Sequence, residues 1–356
     1  MHRLPVALVA ATALAVGFAI APGLAQAPRP LEIYSIDVEG GQATLVVSPS
    51  GESMLIDAGF PGTRDARRIA AAAMTAGVKQ IDYFVNTHFH LDHFGSIPDL
   101  TALMPVRTFV DSGEIAETGK QSVAAFQTYA GFRQKGRHLV VKAGDKVPIA
   151  GLDVQVVIAA GTPIAQPQAG GGAANPLCRD IKPQEADPTE DARSVGVLVS
   201  LGRFRMIDLG DLTWNKENEL ACPNNRIGTV DLYVSTRHGL NGSGSPALVH
   251  ALRPRVAVIN NAGKKGASRE HFLTMKTSPG IEDVWQLHYS VPRPGIVRLL
   301  ETSDPGGPDL NTSEELIANP DDTTEHYLRV VAREDGSFTV MNSRNGRMRE
   351  YVSRNR

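Results

Sequence analysis

The chain has 356 residues, of which 42% are hydrophobic and 21% are charged, and its formal net charge is −2. This is the composition of an ordinary globular protein, and the length allows either two domains or one large α/β unit. The nearly neutral charge gives no electrostatic argument for a surface that binds nucleic acid or anionic membrane.

The N-terminal segment predicts an export signal. A short positive region precedes an apolar run over residues 4–20, and Ala-Gln-Ala at residues 25–27 supplies a small-x-small cleavage site. A single membrane anchor is the alternative, but the run is Ala-rich and near the ~18-residue lower limit for a span. We therefore predict a signal peptide over residues 1–27, a periplasmic or secreted protein, and no further membrane segment.

Strands and helices alternate in the first half of the mature chain. Strand-like runs end at MLIDAG, an Ala-rich helix ends at Gly77, and KQIDYFVNT is the next strand. A helix, a strand, a second helix and a pair of strands follow, up to residue 160. This alternation predicts an α/β architecture.

A long irregular segment over residues 161–192 separates this half from the next. It is rich in Gly, Pro and Ala and too long for an ordinary connection, which indicates a functional loop or a lid. A hairpin ending at Asp211 follows, then two more strands and, near the C-terminus, a hairpin on Asp335 and Gly336.

Two cysteines, Cys178 and Cys222, are candidates for a disulfide in an oxidising compartment. Neither lies in a CxxC pattern or a Cys/His cluster, so a thiolate metal site is disfavoured. Two unrelated free thiols are the alternative.

One short stretch concentrates histidines. His88, His90, Asp92 and His93 lie within six residues, directly after a strand, in a chain with ten histidines. His88 and His90 are two residues apart in an extended segment, so their side chains point the same way. Imidazole with carboxylate suits zinc and also iron or manganese. A hydrogen-bonding loop is the alternative, but this density of ligands favours a metal site.

HFHLDH resembles the HxHxDH signature of the metallo-β-lactamase superfamily of binuclear metallohydrolases. MLIDAG, DLGDL and STRHGLNGS resemble further motifs of that superfamily, so the resemblance covers roughly residues 31–300. The chain is most similar to the branch that contains the hydrolase domain of bacterial DNA-uptake (competence) proteins.

The resemblance implies a four-layer αββα sandwich, with a hydrolase domain over residues 28–300 and a C-terminal β-rich extension over residues 301–356. It also implies a role for each matched residue. The expected metal ligands are His88, His90, Asp92, His93, Asp211 and His238. Asp211 is expected to bridge two metals, and Asp57 to orient the metal-bound histidines. The expected cofactor is Zn²⁺, two ions or one, with iron or manganese left open.

The chain departs from the family pattern at the third motif, which is usually a histidine. Between His93 and Asp211 the only histidine is His138, which opens a strand and is interpreted as structural. The DNA-uptake branch has a small polar residue in this region, so Asp191 or Ser194 is left open as the replacement.

The second departure lies in the fifth motif, where that branch has His-His-Gly. This chain has Arg237, His238 and Gly239 there. We predict that His238 is the ligand. The alternative is that the ligand position corresponds to Arg237, which would leave the second site one ligand short.

These features predict an exported metal-dependent hydrolase that uses metal-bound hydroxide. The substrate would be an ester, phosphodiester, lactone or amide, with Asp92 and Asp211 as catalytic residues. Arg237 and Lys264 are candidates for binding an anionic substrate group, as are neighbours of Lys264 such as Lys265. The alternative function is a non-catalytic or degenerate metal-binding module of the same fold.

Overall fold

The computed structural model describes His2 and residues 29–291 and 311–354. Its strands alternate with helices as the sequence predicts. The strands are β1 (Leu31–Ser35), β2 (Thr44–Val47), β3 (Ser53–Ile56), β4 (Ile81–Val85), β5 (Val106–Asp111), β6 (Arg137–Val140), β7 (Asp153–Ala159), β8 (Thr162–Pro163), β9 (Gly196–Leu201), β10 (Phe204–Asp208), β11 (Leu232–Val234), β12 (Val256–Ile259), β13 (Asp283–His288), β14 (Ile317–Asn319), β15 (Leu328–Ala332), β16 (Phe338–Asn342) and β17 (Met348–Tyr351).

The α-helices of the described residues are mostly short. They are α1 (Thr63–Thr75), α2 (Leu91–Phe94), α3 (Ile97–Leu103), α4 (Lys120–Arg133), α5 (Trp214–Ala221), α6 (Pro246–Leu252) and α7 (Arg269–Lys276). The Ala-rich sequence of α1 favours a helix, and Gly77, with φ 75°, lies directly after its C-cap residue Ala76.

The strands form two mixed sheets. The first has the order β17-β16-β15-β1-β2-β3-β4-β5-β6, and the second has the order β14-β13-β12-β11-β10-β9-β7-β8. Strands β3 to β6 run parallel in the first sheet, and β10 to β14 run parallel in the second. Most residues of these parallel strands are buried, as expected for strands covered on both faces.

Three hydrophobic clusters show how the layers pack. One lies between the sheets and contains side chains from both, such as Ile56 and Met206. A second joins the outer face of the first sheet to α1, α3 and α4. A third joins the outer face of the second sheet to α5, α6 and α7. The order of layers is therefore helix, sheet, sheet, helix, and the predicted four-layer αββα sandwich is confirmed.

The C-terminal strands belong to both sheets. β14 pairs with β13, and β15 pairs with β1 over five residue positions. The predicted boundary at residue 300 lies outside the described residues, as does the predicted signal peptide, so both remain predictions. Among the described residues, no helix is both long and apolar enough to cross a membrane.

The long segment over residues 161–192 is anchored by a disulfide. Cys178 lies in a 3₁₀ turn of this segment and bonds to Cys222, the residue after α5, across a sequence separation of 44 residues. The cross-link therefore holds the middle of the segment against the second sheet's helical layer.

We expect the double substitution Cys178→Ala/Cys222→Ala to lower the free energy of unfolding by about 4 kcal/mol, because the cross-link closes a long loop in the unfolded chain. Urea unfolding followed by circular dichroism measures the change. Wild-type protein in reducing buffer should unfold like the double variant, and equal stability with and without reductant would contradict the prediction.

Candidate metal centre

The predicted ligands meet where parallel strands of both sheets end. Asp57 follows β3, and the segment with the three histidines follows β4. Asp211 follows β10, and His238 follows β11. Loops at the carboxyl ends of parallel strands are where α/β proteins commonly build their binding sites.

Two clusters of metal-ligating side chains lie there. The first cluster consists of His88, His90 and Asp191. The second cluster consists of Asp92, His93, Asp211 and His238. Within each cluster, one ligand atom from every residue lies within 4.8 Å of the others. The clusters adjoin, since the ring centroids of His88 and His93 are 4.1 Å apart.

In the second cluster, Asp211 lies between two imidazoles. Its Oδ1 is 3.3 Å from His93 Nε2, and its Oδ2 is 3.3 Å from His238 Nε2. Asp92 Oδ2 is 3.4 Å from the same nitrogen of His238. Two carboxylates and two imidazoles therefore face one point.

In the first cluster, the Oδ1 atom of Asp191 lies 2.8 Å from His90 Nδ1 and 3.4 Å from His88 Nε2. The sequence left Asp191 and Ser194 open at this position. The structure brings Asp191 to the histidines, while the Ser194 hydroxyl accepts a hydrogen bond from the backbone N–H of Asp211, at 3.3 Å. Asp191 therefore lies where the third-motif histidine was expected.

The donor atoms of both clusters fit a bound cation. Within the described part of the chain, His93 Nε2, His238 Nε2, Asp191 Oδ1 and Asp211 Oδ1 are buried and make no hydrogen bond. Buried polar atoms without a partner are costly, and a metal ion in each cluster would satisfy those of that cluster. Mixed imidazole and carboxylate donors suit zinc or iron.

Asp57 orients the histidines of both clusters. Its Oδ2 accepts hydrogen bonds from His93 Nδ1 at 2.6 Å and from the Thr87 hydroxyl at 2.7 Å. The Thr87 oxygen lies 3.1 Å from His88 Nδ1 and accepts from it, because its own proton is donated to Asp57. In their neutral form both imidazoles thus carry the proton on Nδ1, which leaves the lone pair of Nε2 for a metal.

His90 is oriented by a residue that the sequence did not reveal. Its Nε2 lies 2.9 Å from Glu117 Oε1, and Ser122 donates to the other oxygen of Glu117 at 2.8 Å. His90 therefore turns Nδ1 towards the first cluster. Glu117 lies 27 residues away on a loop, and no spacing rule connects the two.

Two basic side chains contact the carboxylates of the clusters. Lys265 Nζ donates to Asp92 Oδ2, and Arg237 Nη2 lies 2.7 Å from Asp191 Oδ2. The sequence offered Lys264, and its neighbours such as Lys265, for binding a substrate. The side chain of Lys264 is exposed, and its neighbour Lys265 is the one that reaches the ligands.

Arg237 and His238 adopt unusual backbone conformations. Both are left-handed, with φ 52° and 56°, a region that costs a non-glycine residue about 1–2 kcal/mol. Their side chains reach different clusters, Arg237 the first and His238 the second. The predicted choice of His238 for the second cluster agrees with this placement.

His138, interpreted as structural, lies apart from both clusters. Its Nε2 is 2.9 Å from Asp111 Oδ1, and Asp111 also contacts Arg133 and Tyr129. This buried network joins β5, α4 and β6 of the first sheet's layer.

Several side chains of the two clusters have strongly shifted pKa values. Burial opposes a charge on His90, but its contacts with Asp191 and Glu117 raise its pKa to about 9. For His93, burial is likewise outweighed by Asp211 and Asp57, which raise its pKa well above the ordinary value. Burial would raise the pKa of Asp211, but His238 and His93 hold it well below its usual range. In the metal-free centre, His90 and His93 are therefore more readily protonated than free histidine, and Asp211 beside them is ionised.

Fold and site together define a class of protein, an αββα sandwich with adjoining imidazole–carboxylate centres at one edge. Residues 36–167 match the family model described as the metallo-beta-lactamase superfamily. This segment contains Asp57 and the whole HxHxDH stretch, and the chain has the metallo-beta-lactamase fold.

Solved structures resemble the chain at low sequence identity. A Cronobacter sakazakii metallo-beta-lactamase with a HARLDQ motif is 17% identical, over 52% of this chain and 64% of that one, with a TM-score of 0.31. CmlA, a diiron beta-hydroxylase from Streptomyces venezuelae, is 15% identical over 72% of this chain and 48% of its own, with a TM-score of 0.39. The chain thus spans less than two thirds of the length of each.

A third structure is a metal-dependent hydrolase of the beta-lactamase superfamily. It is 12% identical over 73% of this chain and 97% of its own, with a TM-score of 0.44. A comparison with curated protein sequences finds no match.

We expect Asp57→Asn to weaken metal binding by about 10–100-fold, because the amide cannot accept all three hydrogen bonds that orient Thr87 and His93. Asparagine tolerates the left-handed backbone at this position, where φ is 59°. Competition with a chromophoric chelator measures the affinity. Asp153→Asn, at an exposed position, is the control, and equal affinities for both variants would contradict the role of Asp57.

Metal affinity should rise with pH up to about pH 9. A metal binds neutral imidazole, and His90, with a pKa of about 9, is protonated at neutral pH in the metal-free protein. At pH values below that pKa, the metal must displace one proton from His90. The apparent metal affinity therefore rises about tenfold for each pH unit. Calorimetry in buffers of different ionisation enthalpy measures the protons released, and a release near zero at pH 7 would contradict the prediction.

Proposed function

We propose that the chain is a metal-dependent hydrolase whose substrate is an ester, phosphodiester, lactone or amide. The observation that supports it best is the pair of adjoining clusters with buried ligand atoms that make no hydrogen bond among the described residues. We propose two Zn²⁺ ions as the cofactor, with one ion or iron or manganese as the alternatives.

The ligands His88, His90 and Asp191 would hold one ion, and Asp92, His93, Asp211 and His238 the other. When bound, such an ion lowers the pKa of a coordinated water from 15.7 towards about 7 and so supplies hydroxide at neutral pH. Asp57 and Glu117 keep the imidazole lone pairs directed inwards.

The solvent-facing side of the centre supports access by a substrate. The side chains of His90, Arg237 and Lys265 are 30%, 28% and 24% exposed, while His88, His93 and His238 are buried. A substrate would approach from this side. Two cationic side chains beside the ligands would favour the negative charge that develops on oxygen during hydrolysis.

We further propose that the protein is exported, periplasmic or secreted. The N-terminal sequence pattern and the pairing of its two cysteines support this location. A net charge of −2 argues against a basic groove that binds along a nucleic-acid backbone. We therefore propose a small-molecule or phosphodiester substrate. The DLGDL and RHGLNGS stretches support a place near the DNA-uptake branch of the superfamily.

The second candidate function is a non-catalytic metal-binding module. The observation that favours it is the pairing of Arg237 with Asp191, since a residue that differs from the family pattern holds a ligand of the first cluster. Metal analysis and turnover measured on the same samples distinguish the two functions.

We expect the metal-loaded protein to hydrolyse at least one of bis(p-nitrophenyl) phosphate, a lactone panel or a β-lactam panel. His90→Ala should lower turnover by at least 100-fold, because it removes a ligand. His250→Ala, which alters a histidine bonded to the Thr274 carbonyl outside both clusters, should retain turnover. Full metal loading without turnover on any panel would favour the module, and the absence of metal would overturn both functions.

A further inference from the structure

We propose that the ion pair of Arg237 and Asp191 replaces the neutral third-motif histidine of the superfamily, with Arg237 acting as a positioning residue for Asp191. This inference rests on the proposed binding of metal by the first cluster. It assigns Arg237 to the metal centre rather than to the substrate.

The two oxygens of Asp191 have different partners. Oδ1 faces His88 Nε2 and His90 Nδ1, at 3.4 and 2.8 Å, and makes no hydrogen bond among the described residues. Oδ2 lies 2.7 Å from Arg237 Nη2. Because Arg237 holds one oxygen, the other keeps its lone pairs directed at the two histidines. Arg237 and a metal would therefore bind opposite sides of one carboxylate without competing.

The charge of this pair matches the residue that it replaces. A histidine ligand is neutral, whereas an aspartate brings one negative charge. The guanidinium of Arg237 is charged at every physiological pH, so the pair has no net charge. The first cluster thereby offers a metal an oxygen ligand without adding charge to the centre.

Backbone contacts fix Arg237 in this position. Its N–H donates to the Gly210 carbonyl at 2.9 Å, and its own carbonyl accepts from Leu240 at 2.8 Å. Gly210 directly precedes the ligand Asp211. The side chain of Arg237 is 28% exposed, while that of Asp191 is only 6% exposed. Arg237 therefore covers the carboxylate from the solvent side and is itself tied to the loop that carries Asp211.

Metal titration of the full chain tests the proposal. After removal of metal with a chelator, Co²⁺ is added, and binding is followed by the visible spectrum and by competition with a chromophoric chelator. For Arg237→Ala we expect one of the two ions to bind about 10–100-fold more weakly, with an altered Co²⁺ spectrum, and the other to bind within threefold of wild type. Arg237→Lys should recover part of the loss. Arg67→Ala, an exposed arginine on α1, is the matched control and should bind both ions as wild type does.

A double substitution that removes both charges tests whether the zero net charge of the pair matters. Asp191→His alone places an imidazole ligand beside an unpaired arginine and should weaken the first-cluster ion at least tenfold. Adding Arg237→Gln to that variant should restore its affinity to within about fivefold of wild type. If Arg237→Gln lowers the metal affinity equally in the wild type and in Asp191→His, the two substitutions act additively. That result would overturn the proposal that the Arg237–Asp191 pair replaces a neutral histidine.

Other results would also overturn the proposal. Tighter Co²⁺ binding by Arg237→Ala would mean that Arg237 competes with the metal. Unchanged metal affinities with a raised KM would assign Arg237 to the substrate. A single ion bound by wild type and Arg237→Ala alike would exclude the first cluster as a metal site. The metal affinities and the Co²⁺ spectrum do not require turnover, so a chain that binds two metals and hydrolyses nothing would contradict the hydrolase function alone.

Discussion

The candidate metal centre depends on the buried carboxylate of Asp57. A fully buried charge costs several kcal/mol unless it is paired and hydrogen-bonded, and Asp57 is compensated by the Thr87 N–H, the Thr87 hydroxyl and His93. Thr87 extends this network to the second sheet, because its carbonyl accepts from Val195 at 2.7 Å. Its side chain also lies so close to Gly210 that a Cβ there would come within 2.7 Å. One carboxylate thus fixes two histidines and the approach of the loops that carry Asp191 and Asp211.

Around this carboxylate, the centre pairs ligands with supporting charges. Asp191 contacts Arg237, and Asp92 contacts Lys265, so each cluster has one carboxylate that also meets a basic side chain. Such pairing lowers the cost of collecting carboxylates in a buried place before a metal binds. It also places both cations on the exposed side of the centre, where a substrate would enter.

Much of the fold could be predicted because its signals are local. The strands before Asp57, before His88 and before Asp211 are apolar runs that end in turn residues, and the Ala-rich helix ends at Gly77. The place of the C-terminal strands could not be predicted in this way. β15 pairs with β1 across almost the whole chain, and nothing in the spacing of residues records such a distant partner. The expectation of a separate extension remains open, but its described strands complete both sheets.

For the site, the sequence by itself determined the compact part. His88, His90, Asp92 and His93 lie within six residues, so their convergence follows from the local geometry of a strand end. Only the tertiary structure decided between Asp191 and Ser194, introduced Glu117 behind His90, and selected Lys265 rather than Lys264. These residues come from loops far apart in the chain, and their contacts depend on how two sheets pack. The places of Arg237 at the first cluster and His238 in the second likewise depend on the fold, because Asp191, Asp92 and Asp211, which these two side chains meet, lie on separate loops.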